Sequence, residues 1–149
     1  MSKNLIFLRV PEYLREYLSS SFGNPVLLPH DSPESRIIRT FVCAGGRESE
    51  LFSDSNIAVR IPAFKELSKN THLTFPESAK TALVKSFMEL FKVDMYKHMA
   101  GLSDCNCTQK DIIYAYMHSK GISDEHWDTV AKIWYRLRDK YKKKHKIAV

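Results

Sequence analysis

The C-terminal stretch 123–146 carries one long amphipathic pattern, and this pattern constrains the fold more than any other part of the chain. Ser123 can cap a first turn, and acidic residues follow it where the positive end of the helix dipole favours negative charge. Apolar residues then recur at i, i+3, i+7, i+10 and i+14, which is the spacing of one face of a single helix. This apolar seam consists of Trp127, Val130, Trp134, Leu137 and Tyr141.

The other side of the predicted helix is strongly basic. From Lys132 to Val149 there are eight Lys or Arg residues and one acid, Asp139, so this segment carries a charge of +7. The rest of the chain has fifteen basic and sixteen acidic residues and therefore carries −1. A positive charge concentrated in one helix indicates binding to a polyanion, and a solvated helix that only keeps the protein soluble is the alternative. We predict that the basic face binds nucleic acid, and double-stranded DNA in particular.

The candidate contacts to nucleic acid lie on this helix, away from the apolar seam. Basic side chains are expected to contact phosphates, and Arg136 is the best placed for a base because a guanidinium can pair bidentately with guanine. Tyr135 stands beside Arg136 and could stack on a base, form a hydrogen bond or only pack. The predicted contact residues are Lys132, Tyr135, Arg136, Arg138, Lys140, Lys142, Lys143 and Lys144.

The sequence before this helix predicts another helix, so the basic helix would be the second member of a helical pair. Thr108 and Asp111 form an N-terminal capping pattern, an apolar stripe follows, and Gly121 marks a short turn. A short Gly-containing turn followed by a long basic helix is the layout of a helix-turn-helix. An αα-hairpin that only packs gives the same pattern. Met117 stands where the strict motif has a small residue, which homeodomain-like or Myb-like three-helix packing accommodates better.

The N-terminal part predicts a small unit of alternating strands and helices. Short apolar runs at 4–10, 25–29 and 56–61 adjoin prolines and are typical of strands, while 11–23 and 32–42 have helical spacing and proline near their starts. The sequence therefore predicts an α+β protein with a β-α-β-α-β unit at 1–62 and a connector at 63–75. We expect 76–149 to be a bundle of about four helices that includes a short separate one after Asp94 and ends in the helix-turn-helix-like pair.

Two family resemblances depend on quoted residues. The run Leu-Ile-Phe-Leu-Arg-Val at 5–10, with the helices that begin at Pro11 and Ser32, resembles a ribbon-helix-helix domain. That resemblance implies a dimer that lays its strand in the major groove of DNA; the insert 24–31 and the apolar residues on both strand faces depart from it, and an ordinary sheet core is the alternative. The chain is also similar to small uncharacterised proteins of prophages and mobile elements of gut anaerobes, through residues 7–14 and 127–133. This second resemblance implies a mobile-element setting and no activity.

Sequence motifs give no support to an enzyme. There is no nucleophile elbow or Gly-rich phosphate loop, and no carboxylate pair within an apolar pocket, so we expect a non-enzymatic protein without a cofactor. No apolar run approaches the roughly 18 residues of a membrane span, and three cysteines without an export signal suggest reduced thiols in a cytoplasmic protein. The alternative function is a protein-interaction module, in which the apolar seam or the face of Leu5 and Phe7 docks a partner or a second copy.

We predict that the thiols hold no metal. Cys105 and Cys107 form a C-x-C pair, with His98 and His118 as further candidate ligands, and this spacing is closer than in most zinc sites. Elemental analysis of protein purified without added metal is expected to give far less than one zinc per chain. Stoichiometric zinc that disappears in Cys105→Ser would show that a metal site exists.

Overall fold

A computed structural model describes residues 5–44, 55–61, 73–102 and 106–147, without the side chains of 43–44, 73–74 and 142–147. Within these residues the chain is an α+β protein in which helices predominate. In chain order the elements are β1 (Leu5–Leu8), α1 (Glu12–Phe22), α2 (Pro33–Phe41), β2 (Cys43–Ala44), β3 (Ile57–Arg60), β4 (Leu73–Thr74), α3 (Glu77–Gly101), α4 (Gln109–Ser119), a 3-10 helix (Asp124–His126) and α5 (Trp127–Ile147).

The chain divides into two compact units, Met1–Met88 and Glu89–Val149, and the boundary falls inside helix α3. Most of the predicted connector 63–75 lies outside the described residues. The first unit contains the strands, and the second contains α4 and the basic helix α5. No helix in the described ranges is long and apolar enough to cross a membrane.

In the first unit, β1 and β3 form an antiparallel ladder with alternating burial. The register pairs Ile6 with Val59 and Leu8 with Ile57, and all four side chains are buried. The other two residues of β1 are half-buried, because successive side chains of a strand point to opposite faces. The strand that carries the ribbon-helix-helix resemblance thus pairs within its own chain in this structure.

The predicted strand 25–29 is reduced to a single bridge. The N–H of Val26 donates to the carbonyl of Ala58, and the carbonyl of Val26 accepts from the N–H of Arg60, each at 2.9 Å. Pro25 has no amide hydrogen with which to extend this parallel pairing. The middle strand of the predicted β-α-β-α-β unit is therefore one residue long. Strands β2 and β4 form a short antiparallel pair that the sequence did not predict.

Helix α1 has the apolar stripe that its spacing predicts. Tyr13, Leu14, Tyr17 and Leu18 are all buried, which is the i, i+1, i+4, i+5 pattern of one helix face. The hydroxyl of Tyr13 donates to Sδ of Met88 at 3.4 Å. Burial raises the pKa of the Tyr13 phenol above its usual value, because the charged form would lose its hydration.

Helix α2 begins as its sequence predicts. Oγ of Ser32 accepts from the N–H of Ser35 at 3.2 Å, and Pro33 occupies the first helical position. Glu34 lies in the first turn, where the helix dipole favours a carboxylate. Unexpectedly, Glu34 is buried and accepts a hydrogen bond from Oγ of Ser86 on α3 at 2.7 Å. The acidic residue of the helix start therefore also links α2 to α3.

The predicted short helix after Asp94 is instead continuous with the helix before it. Helix α3 extends over 25 residues, from Glu77 to Gly101. Its buried stripe continues past Asp94 without an intervening proline or glycine, so nothing in the backbone chemistry ends the helix there. The buried residues of this stripe are Ala79, Leu83, Phe87, Phe91, Met95 and Met99.

Asn56 continues the β1–β3 ladder with its side chain. Its Oδ1 accepts from the N–H of Val10 at 2.9 Å, and its Nδ2 donates to the carbonyl of Val10 at 2.6 Å. The N–H of Asn56 donates to the carbonyl of Leu8 at 2.9 Å. The amide therefore satisfies both backbone groups of a residue that lies beyond the last strand pair.

We expect Asn56→Ala to lower the free energy of unfolding by about 1–3 kcal/mol, because both backbone groups of Val10 would lose their partners in a partly buried place. Denaturant unfolding followed by circular dichroism measures the change. Asn106→Ala removes an exposed amide and is the control, with an expected change below about 0.5 kcal/mol. Equal stability of the two variants would show that water replaces the Asn56 amide.

Candidate nucleic-acid interface

A Schellman motif ends α4 and directs the chain toward α5. Gly121 has a φ of +69°, which glycine adopts without a steric penalty. The N–H of Ile122 donates to the carbonyl of Met117 at 2.9 Å, and the N–H of Gly121 donates to that of His118 at 3.4 Å. Ile122 and Met117 are both buried, as expected for the apolar pair of this motif. Met117, the residue that departs from the strict helix-turn-helix pattern, thus belongs to the helix cap.

The starts of helices α4 and α5 differ in regularity. Oγ1 of Thr108 accepts from the N–H of Asp111 at 3.2 Å, so the predicted cap of α4 is confirmed. The predicted helix from Ser123 opens instead with the 3-10 turn, and regular α-helix begins at Trp127. Residues 120–123 separate α4 from that 3-10 turn. The turn is therefore short, as the sequence predicts.

The centre of the apolar seam is buried. Val130 and Trp134 have exposed fractions of 0% and 6%, whereas the remaining seam residues are half-buried. Nε1 of Trp134 donates to Oε1 of Gln109 on α4 at 2.7 Å. The indole therefore has both an apolar site for its ring and an acceptor for its N–H, and this combination fixes the side of α5 that faces inward.

Aromatic contacts anchor the two ends of the seam. Tyr96 of α3 stacks on Tyr141 with ring centroids 4.0 Å apart and lies 6.2 Å from the ring of Trp134. Tyr114 of α4 stacks on Trp127 with centroids 5.7 Å apart. Aromatic pairs of this kind add roughly 0.5–1.5 kcal/mol each beyond the area that they bury. Helix α5 is thus attached to α3 and to α4 along the seam.

Asp94 is a structural residue whose role the sequence did not reveal. It lies inside α3, where its Oδ2 accepts from the hydroxyl of Tyr116 at 3.1 Å and lies 3.2 Å from Nζ of Lys120. Lys120 is the C-cap residue of α4. The carboxylate therefore attaches the end of α4 to α3. A single sequence does not distinguish this role from helix capping, because aspartate serves both.

Three of the predicted contact residues form a stripe on the exposed side of α5. Lys132, Arg136 and Lys140 are exposed and four residues apart, so they follow one ridge of the helix away from Val130 and Trp134. We call these three residues the cationic stripe. At a rise of 1.5 Å per residue the stripe is about 12 Å long.

Arg138 and Tyr135 lie beside this stripe and contact each other. The guanidinium carbon of Arg138 is 5.0 Å from the centre of the Tyr135 ring, in a cation–π arrangement. Nε of Arg138 is buried and 3.8 Å from Oδ1 of Asp139, an ion pair that contributes little at this exposure. The side chains of Arg138 and Tyr135 are both half-buried. Lys142, Lys143 and Lys144 lie in α5, but their side chains are outside the described residues.

The exposed charge changes sign along this part of the chain. Asp124, Glu125 and Asp128 are exposed in the 3-10 turn and the first turn of α5, and Lys132 is the first basic residue of the helix. Acids at the start and bases toward the end of a helix both interact favourably with its dipole. The positive charge of α5 therefore belongs to the part of the helix that begins at Lys132.

Two of the three candidate metal ligands that the structure describes are histidines with partners of their own, and the third, Cys107, is an exposed free thiol. The ring of His98 lies edge-on to Tyr116, with centroids 5.1 Å apart. Nε2 of His118 is 2.6 Å from Oδ1 of Asp124. Cys105 lies outside the described residues. The absence of metal thus stays a prediction from the spacing of the thiols.

Comparison of the chain with protein-family models, with curated proteins and with solved structures finds no match.

We expect Trp134→Ala to lower the free energy of unfolding by about 3–5 kcal/mol, because it leaves a cavity in the seam and removes the partner of Gln109. Lys140→Ala, on the exposed side of the same helix, is the control and should change the stability by less than about 0.5 kcal/mol. Denaturant unfolding measures both variants. If Trp134→Ala were as stable as the control, the seam would not be a packed surface.

Proposed function

We propose that the chain binds duplex DNA through α5, as a regulator or accessory factor of a mobile element. The observation that supports DNA binding is the cationic stripe, which is exposed on a helix whose other side is buried. A stripe held in this way presents its charge without a further loss of backbone conformational entropy on binding. The mobile-element setting depends on the sequence resemblance at residues 7–14 and 127–133.

The charge distribution gives the proposal its energetic basis. Each phosphate that a basic side chain neutralises releases condensed counterions, and this release drives the association of basic surfaces with DNA. The stripe supplies three cations, and α5 continues through four more lysines before it ends at Ile147. Because the chain outside 132–149 is nearly neutral, the field that attracts a polyanion originates in this helix.

The order of helices supports a helix-turn-helix-like arrangement as part of the proposal. Helix α4 is followed by a four-residue turn with Gly121 at positive φ, then by the 3-10 turn and the longer basic helix α5, which gives the helix, turn, helix order of that motif. Attachment of α5 to α4 through Trp134 and Gln109 makes the pair one element. A polyanion bound to α5 would therefore be held by this whole pair.

The alternative of a protein-interaction module finds less support at the seam. Val130 and Trp134 are buried, and the N–H of Trp134 is hydrogen-bonded within the chain. A partner that docked on the seam would have to displace these interactions. The basic side of α5 is already exposed and requires no such displacement.

The expected behaviour is salt-dependent binding to duplex DNA. About five phosphate contacts would give a slope of log K against log salt near −4 to −5. A variant with Gln at the three stripe positions should have a slope that is less steep by about 2.7, because each lost contact removes about 0.9. A salt titration of fluorescence anisotropy measures both slopes.

A control of equal charge separates the stripe from the overall charge of the protein. It replaces one Arg and two Lys that are exposed elsewhere, Arg36, Lys85 and Lys97, with Gln. This control should keep the slope of the wild type. If the two variants lose affinity equally, the stripe is not the contact. If the wild type fails to bind at about 50 mM salt, where such contacts are strong, the DNA-binding proposal is wrong and the interaction module takes its place.

A further inference from the structure

A further inference concerns how α5 meets the duplex, and it rests on the proposed function. We infer that α5 binds phosphates with the part that begins at Lys132 and keeps its first turn out of the major groove. Binding by this surface is then independent of base sequence. The observation that leads to this inference is the change in sign of the exposed charge between Asp128 and Lys132.

This distribution of charge is unfavourable for base reading by a helix-turn-helix. The recognition helix of this motif inserts its N-terminal residues into the major groove and contacts base edges with them. In this chain the corresponding positions carry the exposed carboxylates of Asp124, Glu125 and Asp128. Basic side chains begin only at Lys132, more than a full turn later.

A carboxylate inside the major groove would lie close to DNA phosphates and would be repelled by them. The major groove is about 12 Å wide, so a group within it is no farther than about 6 Å from one of its two phosphate walls. The Debye length at physiological salt is about 8 Å, so these charges would not be screened from each other. Three carboxylates placed in the groove would therefore oppose insertion.

A carboxylate in the groove can recognise cytosine, because the carboxylate oxygens can accept a hydrogen bond from the N4 amino group of that base. Two of the three carboxylates are already engaged. Oδ1 of Asp124 is 2.6 Å from Nε2 of His118, and Oε1 of Glu125 is 3.4 Å from Nε2 of His126. One remaining carboxylate, that of Asp128, is a poor basis for reading a sequence.

The cationic stripe, in contrast, matches a phosphate backbone. Its length of about 12 Å corresponds to between three and four phosphate steps of one strand, which repeat every 3.4 Å along the duplex axis. Arg136 stands at its centre, where a guanidinium can bind a phosphate through two hydrogen bonds, with a lysine one helical turn to either side. The cationic stripe is therefore suited to lie along the backbone of a duplex.

The experiment compares the full-length wild type with a variant in which Glu125→Gln and Asp128→Asn remove two of the exposed carboxylates. Fluorescence anisotropy measures the affinity of each protein for duplexes of equal length and different base composition. Circular dichroism at the assay temperature confirms that the variant is folded. Independently of the variant, repeated selection of bound duplexes from a random pool shows whether the wild type prefers any sequence.

The inference predicts similar affinities for all duplexes, no consensus in the selected pool, and equal or tighter binding by the variant. Any gain should not exceed about twofold per carboxylate, since each substitution removes one screened repulsion. A consensus bound about a thousandfold more tightly, as specific sites are, or a loss of affinity in the variant, would overturn the inference and leave DNA binding intact. Failure of the wild type to bind any duplex at about 50 mM salt would instead overturn the proposed function.

Discussion

The burial of Trp134 and its hydrogen bond to Gln109 determine which side of α5 faces outward. A buried indole N–H is stabilised by a hydrogen-bond acceptor, and Oε1 of Gln109 supplies one to Trp134 at 2.7 Å. Rotation of α5 about its axis would break this bond and expose Val130. The cationic stripe is accessible because of this constraint, so the stability of the second unit and its proposed function depend on the same contact.

The parts of the fold that the sequence predicts are those in which a short stretch determines its own conformation. Capping by Ser32 and Thr108, the glycine turn after α4 and the seam of α5 all depend on residues within a few positions of one another. The α+β class follows from such local patterns. The exposed positions of the stripe also follow, because periodicity that buries Trp134 places Lys132 and Arg136 outside.

The parts that the sequence did not predict depend on contacts between distant residues. Asn56 completes the environment of Val10, and Asp94 binds Tyr116, yet each residue is also an ordinary turn or cap former. The shortening of strand 25–29 likewise depends on which backbone groups of β3 are available to Val26. Arg138 was expected to point outward with the other basic residues, and its contact with the ring of Tyr135 depends on side-chain packing that charge and periodicity do not encode.

The pairing of β1 with β3 has a consequence for the order in which the chain folds. The two strands are separated by about fifty residues, and the Asn56 bonds that extend them close a loop of 46. Closing so long a loop costs chain entropy before any contact offsets it, so structure of this kind forms slowly. During synthesis β1 leaves the ribosome before β3, so the buried side chains of β1 stay uncovered until β3 has been made. Helices α4 and α5 are separated by only seven residues, 120–126, so they can associate as soon as both have been made.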